Sequence, residues 1–334
     1  MMFTVCIRCF AYNHDEYIRE AMQGFVMQET HFPYVAIIVD DASTDNTAQI
    51  ITSFFSSNFN TADSSVAYQE EREYGTVLFA RNLANENCYF AIVLLKDNHY
   101  RQRKSKGPYY RQWMDDSEFI AICEGDDYWI DSLKLQKQVD ILRQNTELMG
   151  VVTNSMVVDR VGSILSGRME NIVLGNHEGR YSLHDYLRNV HHYPTATVLY
   201  RNNHSLDVQR KMRHTKNKYL SDWTLWAILH SYGDFYYLND VTSAYRINPT
   251  SLTHTVDRVE RAKANITICK SLSEVLPPEY SPYLKKAGWM YFSVFMAYRK
   301  EKKWFGMMSS LSICFFKYPV YTIMRLIHLA QGVE

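Results

Sequence analysis

The first part of the chain alternates between short apolar runs and stretches whose apolar residues recur at helical spacing. Phe3–Ala11 is an apolar, β-rich run, and Asp15–Gln28 follows with Tyr17, Ile18, Ala21, Met22 and Phe25 on one helical face. Tyr34–Val39 (YVAIIV) reads as a second strand that stops at Asp40-Asp41. Ser43 opens the next predicted helix, with Thr44 and Thr47 near its start and Ile50, Ile51, Phe54 and Phe55 inside. Val66–Tyr68 is strand-like, and Asn98–Gln112 (NHYRQRKSKGPYYRQ) reads as an exposed basic loop. Phe119–Cys123 is again continuously apolar and ends in Glu124-Gly125-Asp126-Asp127. Nearly continuous apolar strands alternating with amphipathic helices predict an α/β fold, a mixed, mainly parallel sheet covered by helices. Such sheets bind ligands beyond the carboxyl ends of their strands, and here two apolar strands finish in paired carboxylates.

Further on, Val151–Val158 and Ala196–Tyr200 read as strands and Asp222–Tyr232 as a helix. Phe235–Leu238 and Ser243–Ile247 read as short strands. Pro277, Pro278 and Pro282 mark a boundary, after which Tyr283–Tyr298 and Trp304–Leu329 read as two amphipathic helices. Between them lies the basic cluster Arg299, Lys300, Lys302 and Lys303.

Charge and composition narrow the classes. With 36 basic and 36 acidic residues the formal net charge is zero, which argues against nucleic acid as a partner. The 25 tyrosines suit an aromatic core and a carbohydrate-handling surface alike. Cys6 and Cys9 have C-x-x-C spacing, but three residues apart on a strand they point to opposite faces and cannot share a metal. Buried thiols in a reducing cytosol are the expectation. No signal-peptide pattern opens the chain, and Trp304–Phe316, bounded by Lys303 and Lys317, is too short to span a bilayer. The expected location is therefore cytoplasmic, with peripheral contact to the inner face of the membrane left open.

The two acidic strand ends carry the chemistry. Asp40-Asp41-Ala42-Ser43-Thr44-Asp45 is either an ordinary helix-capping turn or a crevice floor where a carboxylate accepts the N–H of a base or ribose hydroxyls. Three carboxylates among Glu124, Asp126 and Asp127 raise one another's pKa, a conflict that Mg²⁺ or Mn²⁺ relieves. A diphosphate sharing that cation is the natural ligand.

Val5–Gln28 (VCIRCFAYNHDEYIREAMQGFVMQ), Val39–Asp45 (VDDASTD) and Cys123–Lys137 (CEGDDYWIDSLKLQK) resemble the inverting family 2 glycosyltransferases with the GT-A fold, of the type that builds bacterial polysaccharide and lipopolysaccharide. The resemblance covers about residues 3–250. It implies transfer of a sugar from a nucleotide-diphosphate donor, UDP by default, to a hydroxyl of a glycan or lipid-linked acceptor. It implies a catalytic domain over 1–255, with a nucleotide-binding half to about 130 and an acceptor half over 131–255, and a helical extension over 256–334 that associates with membrane or forms a homodimer. By the same resemblance Ala11, Tyr12, Asn13, Asp40 and Asp41 line the nucleotide pocket, Asp126 grips ribose and metal, and Asp127 binds metal.

Ser221-Asp222-Trp223 matches the family's acidic element ahead of a helix, so the role of catalytic base passes to Asp222; the residue type alone equally suits a helix cap. Tyr245-Arg246-Ile247-Asn248 resembles the family's Y-R-x-H motif with Asn248 in place of His. Either water or His254 then completes the metal shell or the site is less metal-dependent than in relatives, and Arg246 would pair with phosphate or with Asp240. His192, Thr195 and Trp223 fall in segments that face the acceptor in relatives, and the basic loop Arg101–Lys106 would close over the diphosphate or simply stay solvated. Two other classes compete. A sugar nucleotidyltransferase would show a glycine-rich loop after the first strand, where Phe10–His14 has none. A degenerate nucleotide-sugar-binding protein fits Asn248 but not the intact acids.

Overall fold

The computed structural model describes residues 2–165, 177–189, 193–215, 222–248, 257–280 and 288–331. Contacts divide the chain into two compact units, one made of Met1–Ser182, His191–Ser205 and Tyr232–Asn248, the other of Leu183–Val190, Leu206–Ser231 and Pro249–Glu334. The division follows contact rather than chain order, so helices from within 131–255 group with the C-terminal ones.

The first unit is an eleven-stranded mixed sheet with four parallel strands at its centre. These are β5 (Cys88–Leu95), β2 (Tyr34–Asp40), β1 (Val5–Ala11) and β6 (Phe119–Ile122), in that spatial order. Every residue of β2 and β6 is buried, as the uninterrupted apolar runs require of strands covered on both faces. On the β5 side the sheet is extended antiparallel by β4 (Gly75–Arg81) and β3 (Ala67–Arg72). On the β6 side β10 (Val198–Arg201) runs antiparallel to both β6 and β8 (Leu148–Val158). The long β11 (Asp234–Arg246) lies parallel to β8 and pairs antiparallel with β7 (Tyr128–Trp129) and β9 (Gly179–Tyr181).

Helix α1 (Ile18–Val26) buries Ile18, Ala21, Met22 and Phe25, the face its spacing predicts. Phe25 meets Trp129 edge-on at 5.2 Å, and Phe90 lies 4.3 Å from Phe59. Gly24 lets α1 lie flat on β7: a Cβ there would stand 2.9 Å from the Trp129 amide nitrogen.

Several elements depart from the pattern. Helix α2 (Thr47–Asn58) starts later than Ser43, because the Ser43 amide and hydroxyl are both spent on the Asp40 carboxylate. Between Tyr68 and Asn98, where the pattern assigns nothing, stand β4 and β5. The acid-tipped strands β2 and β6 are therefore not consecutive; they flank β1 in space. Part of the expected basic loop is a helix, α3 (Gly107–Met114), which carries Pro108 in its first turn and buries Tyr110, Trp113 and Met114. The two short strands expected over 235–247 are one strand, with register shifts between Tyr237 and Ser243. The single helix expected over 304–329 is two, Trp304–Lys317 and Pro319–Ala330, since Pro319 cannot continue a helix. All six cysteines are buried and free, in line with the opposite-face reading of Cys6 and Cys9.

The second unit gathers helices α5 (Leu183–Asn189), α6 (Ser205–His214) and α7 (Asp222–His230) with Arg258–Val275, Gly288–Lys300, Trp304–Lys317 and Pro319–Ala330. Helix α7 is buried from Trp223 to His230. A small separate core of Phe292, Phe295 and Cys314 holds the last three helices. Among the described residues no helix is long and apolar enough to cross a membrane.

One buried charge marks the core of the first unit. Lys134, in helix α4 (Lys134–Gln144), is fully buried, its ammonium 4.9 Å from the Trp129 ring centre, donating to Gln138 at 2.5 Å and to the Thr197 carbonyl at 3.5 Å. Burial pulls its pKa down to about 7. In the unfolded chain the group keeps its proton to near 10.5, so the buried amine costs stability at low pH and the cost shrinks as pH rises through about 7. Between pH 7 and 9 the unfolding free energy of the parent chain therefore rises relative to that of Lys134→Met, measured by urea denaturation; parallel pH profiles would mean that the folded chain keeps this proton as the unfolded chain does, and would refute the lowered pKa.

Candidate active site

The parallel register places three chain segments side by side at one edge of the sheet. Ala11 pairs with Asp40 and Arg8 with Ile122, so the turns after β1, β2 and β6 emerge together. Backbone bonds lace them: the Asp41 amide donates to the Ala11 carbonyl at 2.9 Å and the Gly125 amide to the Phe10 carbonyl at 3.0 Å. The Phe10 amide in turn donates to the Glu124 carboxylate at 3.1 Å. A Cβ at Gly125 would stand 2.7 Å from the His14 Nδ1, so any larger residue here would have to displace the His14 ring.

The turns after β1 and β2 are bonded into one unit. Asn13 and Ala42 both hold positive φ, 55° and 57°. The Ser43 hydroxyl donates to Asp40 and accepts from the Asn13 amide at 3.0 Å. The Asn13 side-chain oxygen accepts from the Thr44 amide at 2.8 Å, the Thr47 hydroxyl accepts from the His14 amide at 2.8 Å, and Asp45 accepts from the Asp15 amide at 3.2 Å. Thus the polar residues of Ser43–Thr47 join two loops rather than cap a helix that starts at Ser43. Asp40 is buried, and burial raises its pKa against the lowering effect of the two Ser43 bonds. Against the raising effect of its own partial burial, the Thr47 and Asp15 bonds hold Asp45 below the usual carboxylate range.

Asp41 faces the basic loop. Its carboxylate accepts from the His99 amide at 2.7 Å, the Tyr100 amide at 3.0 Å and the Lys106 ammonium at 2.9 Å, while Asn98 donates to its carbonyl at 2.9 Å. Arg101 reaches over the Tyr12 ring at 5.5 Å. The loop is thus folded onto the strand tips, with Asp41 as its anchor.

At the tip of β6, Asp127 is buried and accepts from the Arg246 amide at 2.9 Å, whereas Asp126 is half-buried. Burial first, then the neighbouring Asp126 charge, push the pKa of Asp127 well above the usual carboxylate range. A carboxylate held this way gains from a cation. Asp126 and Asp127 offer hard oxygen donors, and among the described residues no third His, Cys, Asp or Glu joins them in a closed cage. This donor set fits Mg²⁺ or Mn²⁺, which keep positions for phosphate and water, better than a fully protein-bound metal.

Of the two partners drawn from the sequence for Arg246, Asp240 is not the one taken: it binds Lys137 at 2.6 Å. The buried Arg246 guanidinium donates to Glu20, to the Asp126 carbonyl at 3.0 Å and to the Arg160 carbonyl at 2.9 Å, and lies 4.7 Å from the Tyr17 ring and 5.3 Å from the Tyr128 ring. The spacing rules gave no sign of Glu20, Tyr17 and Tyr128 as its partners, because they come from α1 and β7. Asn248 is buried just beyond β11, and Thr195 is buried in a short turn before β10. Asp222 opens α7 and Trp223 is buried within it, both in the second unit. His192 and His254 lie outside the described residues.

Comparisons with known proteins fit this arrangement. Residues 6–101, from β1 through the start of the basic loop, match the model for glycosyl transferase family 2. Uncharacterized proteins of Mycobacterium tuberculosis and Mycobacterium bovis are 36% identical over 137 residues, which is 41% of this chain and 31% of theirs. Among solved structures, TarS (1–349) of S. aureus in complex with UDP matches 92% of this chain and 90% of its own, at TM-score 0.53 and 13% identity. The mannosyltransferase PcManGT from Pyrobaculum calidifontis, in complex with GDP-Man and Mn²⁺, matches 99% of this chain and 80% of its own, at TM-score 0.55 and 12% identity. At such identities the likeness is one of fold. The fold is of the GT-A type.

Removing the Arg246 side chain takes its hydrogen bonds from the Glu20 carboxylate and from the Asp126, Asp159 and Arg160 carbonyls. Arg246→Ala lowers the unfolding free energy by about 2–4 kcal/mol, whereas Glu20→Gln, at a half-exposed partner, costs under about 1 kcal/mol. Urea unfolding of the two variants checks this; equal losses would mean the clasp is carried by the ion pair alone.

Proposed function

We propose that this protein is an inverting glycosyltransferase that moves a sugar from a nucleotide-diphosphate donor to a hydroxyl of a glycan or lipid-linked acceptor. The observation that carries the reading is the meeting of Asp40 and Asp126-Asp127 at the tips of strands on either side of β1. The family match over residues 6–101, which takes in Asp40, supports it.

In this reading Ala11, Tyr12 and Asn13 form the wall of the nucleotide pocket, and Asp40 accepts from base or ribose. Because the turns are already cross-linked through Ser43 and Thr47, the pocket costs little ordering when the donor binds. Asp126 and Asp127 would hold the divalent cation, which when bound supplies charge neutralisation at the diphosphate. The folded basic loop, tied down through Asp41, brings Arg101 beside Tyr12, where its cation suits an anionic donor. Asp222 is the proposed base that takes the acceptor hydroxyl's proton as the new glycosidic bond forms. UDP is the default nucleotide; TarS was solved with UDP and PcManGT with GDP-Man, so both bases belong in the first screen.

Thermal-shift measurements with UDP, GDP and dTDP, each with and without Mn²⁺, are expected to single out one base, since a bound ligand stabilises by mass action. Asp127→Asn should lose the Mn²⁺-dependent part of that shift. Asp222→Asn should keep the shift while sugar transfer falls about 10²–10⁴-fold. Transfer by Asp222→Asn at the parent rate would remove Asp222 from the mechanism, and no shift with any nucleotide would remove the donor-binding reading altogether.

A further inference from the structure

The last two helices are apolar on the side that packs and apolar again on the side that faces solvent. On Trp304–Lys317 the buried side holds Ser310 and Cys314, with Met307 and Leu311 against the small core. Outside that core Trp304, Phe305, Met308, Phe315 and Phe316 are exposed, Phe305 at 91% and Phe316 at 90%. On Pro319–Ala330, Tyr321, Leu326 and Leu329 pack inward. Val320, Ile323, Met324 and Ile327, at i, i+3, i+4 and i+7, form an exposed stripe along the helix. An aromatic side chain of this kind carries about 150–250 Å² of surface, so these faces together exceed the few hundred Å² that a soluble surface leaves uncovered without a purpose.

Charge selects the occupant. From Arg299 to Gln331 the chain carries Arg299, Lys300, Lys302, Lys303, Lys317 and Arg325 against the single acid Glu301, although the whole chain is neutral. Arg299, Lys300, Lys302, Lys303 and Lys317 are exposed at the ends of the apolar helices. A second copy of this face would set like charges against like. An anionic lipid surface instead satisfies both features, accepting the apolar side chains below its headgroups and attracting the lysines at its plane. Neither helix is long enough to cross.

We infer that the Trp304–Lys317 and Pro319–Ala330 helices form an interfacial docking surface for an anionic lipid bilayer. It stands apart from the sugar-transfer reading, and its test reads no catalysis. The full chain is floated with vesicles of phosphatidylcholine alone and with about one-third phosphatidylglycerol. The parent chain is expected to float with the anionic vesicles, less so as salt rises. Phe305→Ser with Phe316→Ser is expected to weaken that association by about tenfold or more, with circular dichroism and melting unchanged because both rings are exposed. Lys302→Glu with Lys303→Glu should remove the preference for anionic lipid. Failure of the parent chain to float, or flotation indifferent to the phenylalanine pair, overturns the inference. So does a dimer in sedimentation velocity that the phenylalanine pair dissolves while the parent ignores vesicles, which would make the face a contact between copies.

Discussion

The hydrogen bonds that fasten the end of β1 to its two neighbours govern the rest of this structure. Phe10 binds the acidic loop after β6 through both its amide and its carbonyl, and Ala11 binds the turn after β2. Parallel strands deliver their carboxyl ends to one edge, but they do not by themselves fix the loops beyond those ends. Here those loops are fixed by each other. Ser43, Thr47 and Asp45 supply the contacts, and Gly125 leaves room for His14 beside the acidic loop.

Bringing so many carboxylates to one edge has an electrostatic cost, and the fold meets it differently at each acid. Asp41 is neutralised by Lys106 and two loop amides, so the acid that draws the basic loop onto the strand tips is itself satisfied. Asp40 is answered by a single serine and keeps a raised pKa. Asp127 has a backbone amide but a like charge beside it, and among the described residues no cationic side chain donates to its carboxylate. Arg246 spends its guanidinium on Glu20 and on backbone carbonyls, and among the described residues no cation pairs with the Asp126-Asp127 carboxylates. That division between satisfied and unsatisfied acids is the physical ground for reading Asp126-Asp127 rather than Asp41 as the place for a metal.

The second unit obeys another rule. Helix α7 is buried from Trp223 to His230, whereas the last two helices pack only one side around Phe292, Phe295 and Cys314. Their outer faces keep the same apolar character without a protein partner, framed by lysines.

The order of apolar runs and their acidic ends was enough to establish an α/β sheet with helices over it, the segments β1, α1, β2 and β6, and the two clusters of carboxylates. Those features are local, fixed by period and by which residues can sit beyond a strand end. Cys88–Leu95 is as apolar as any strand that was identified, yet its place beside β2 depends on a hairpin that no local signal pairs with it. The neighbours of Arg246 and the bond from Ser43 to Asn13 likewise join residues far apart in sequence, so only the packed chain decides them. The same holds for Asp41, whose partners lie nearly sixty residues away in the basic loop. Residue type told that acids gather at the sheet's edge. Three-dimensional proximity alone determined which of them are already paired, because a charge is satisfied by groups within a few ångströms of it, whatever their distance along the chain.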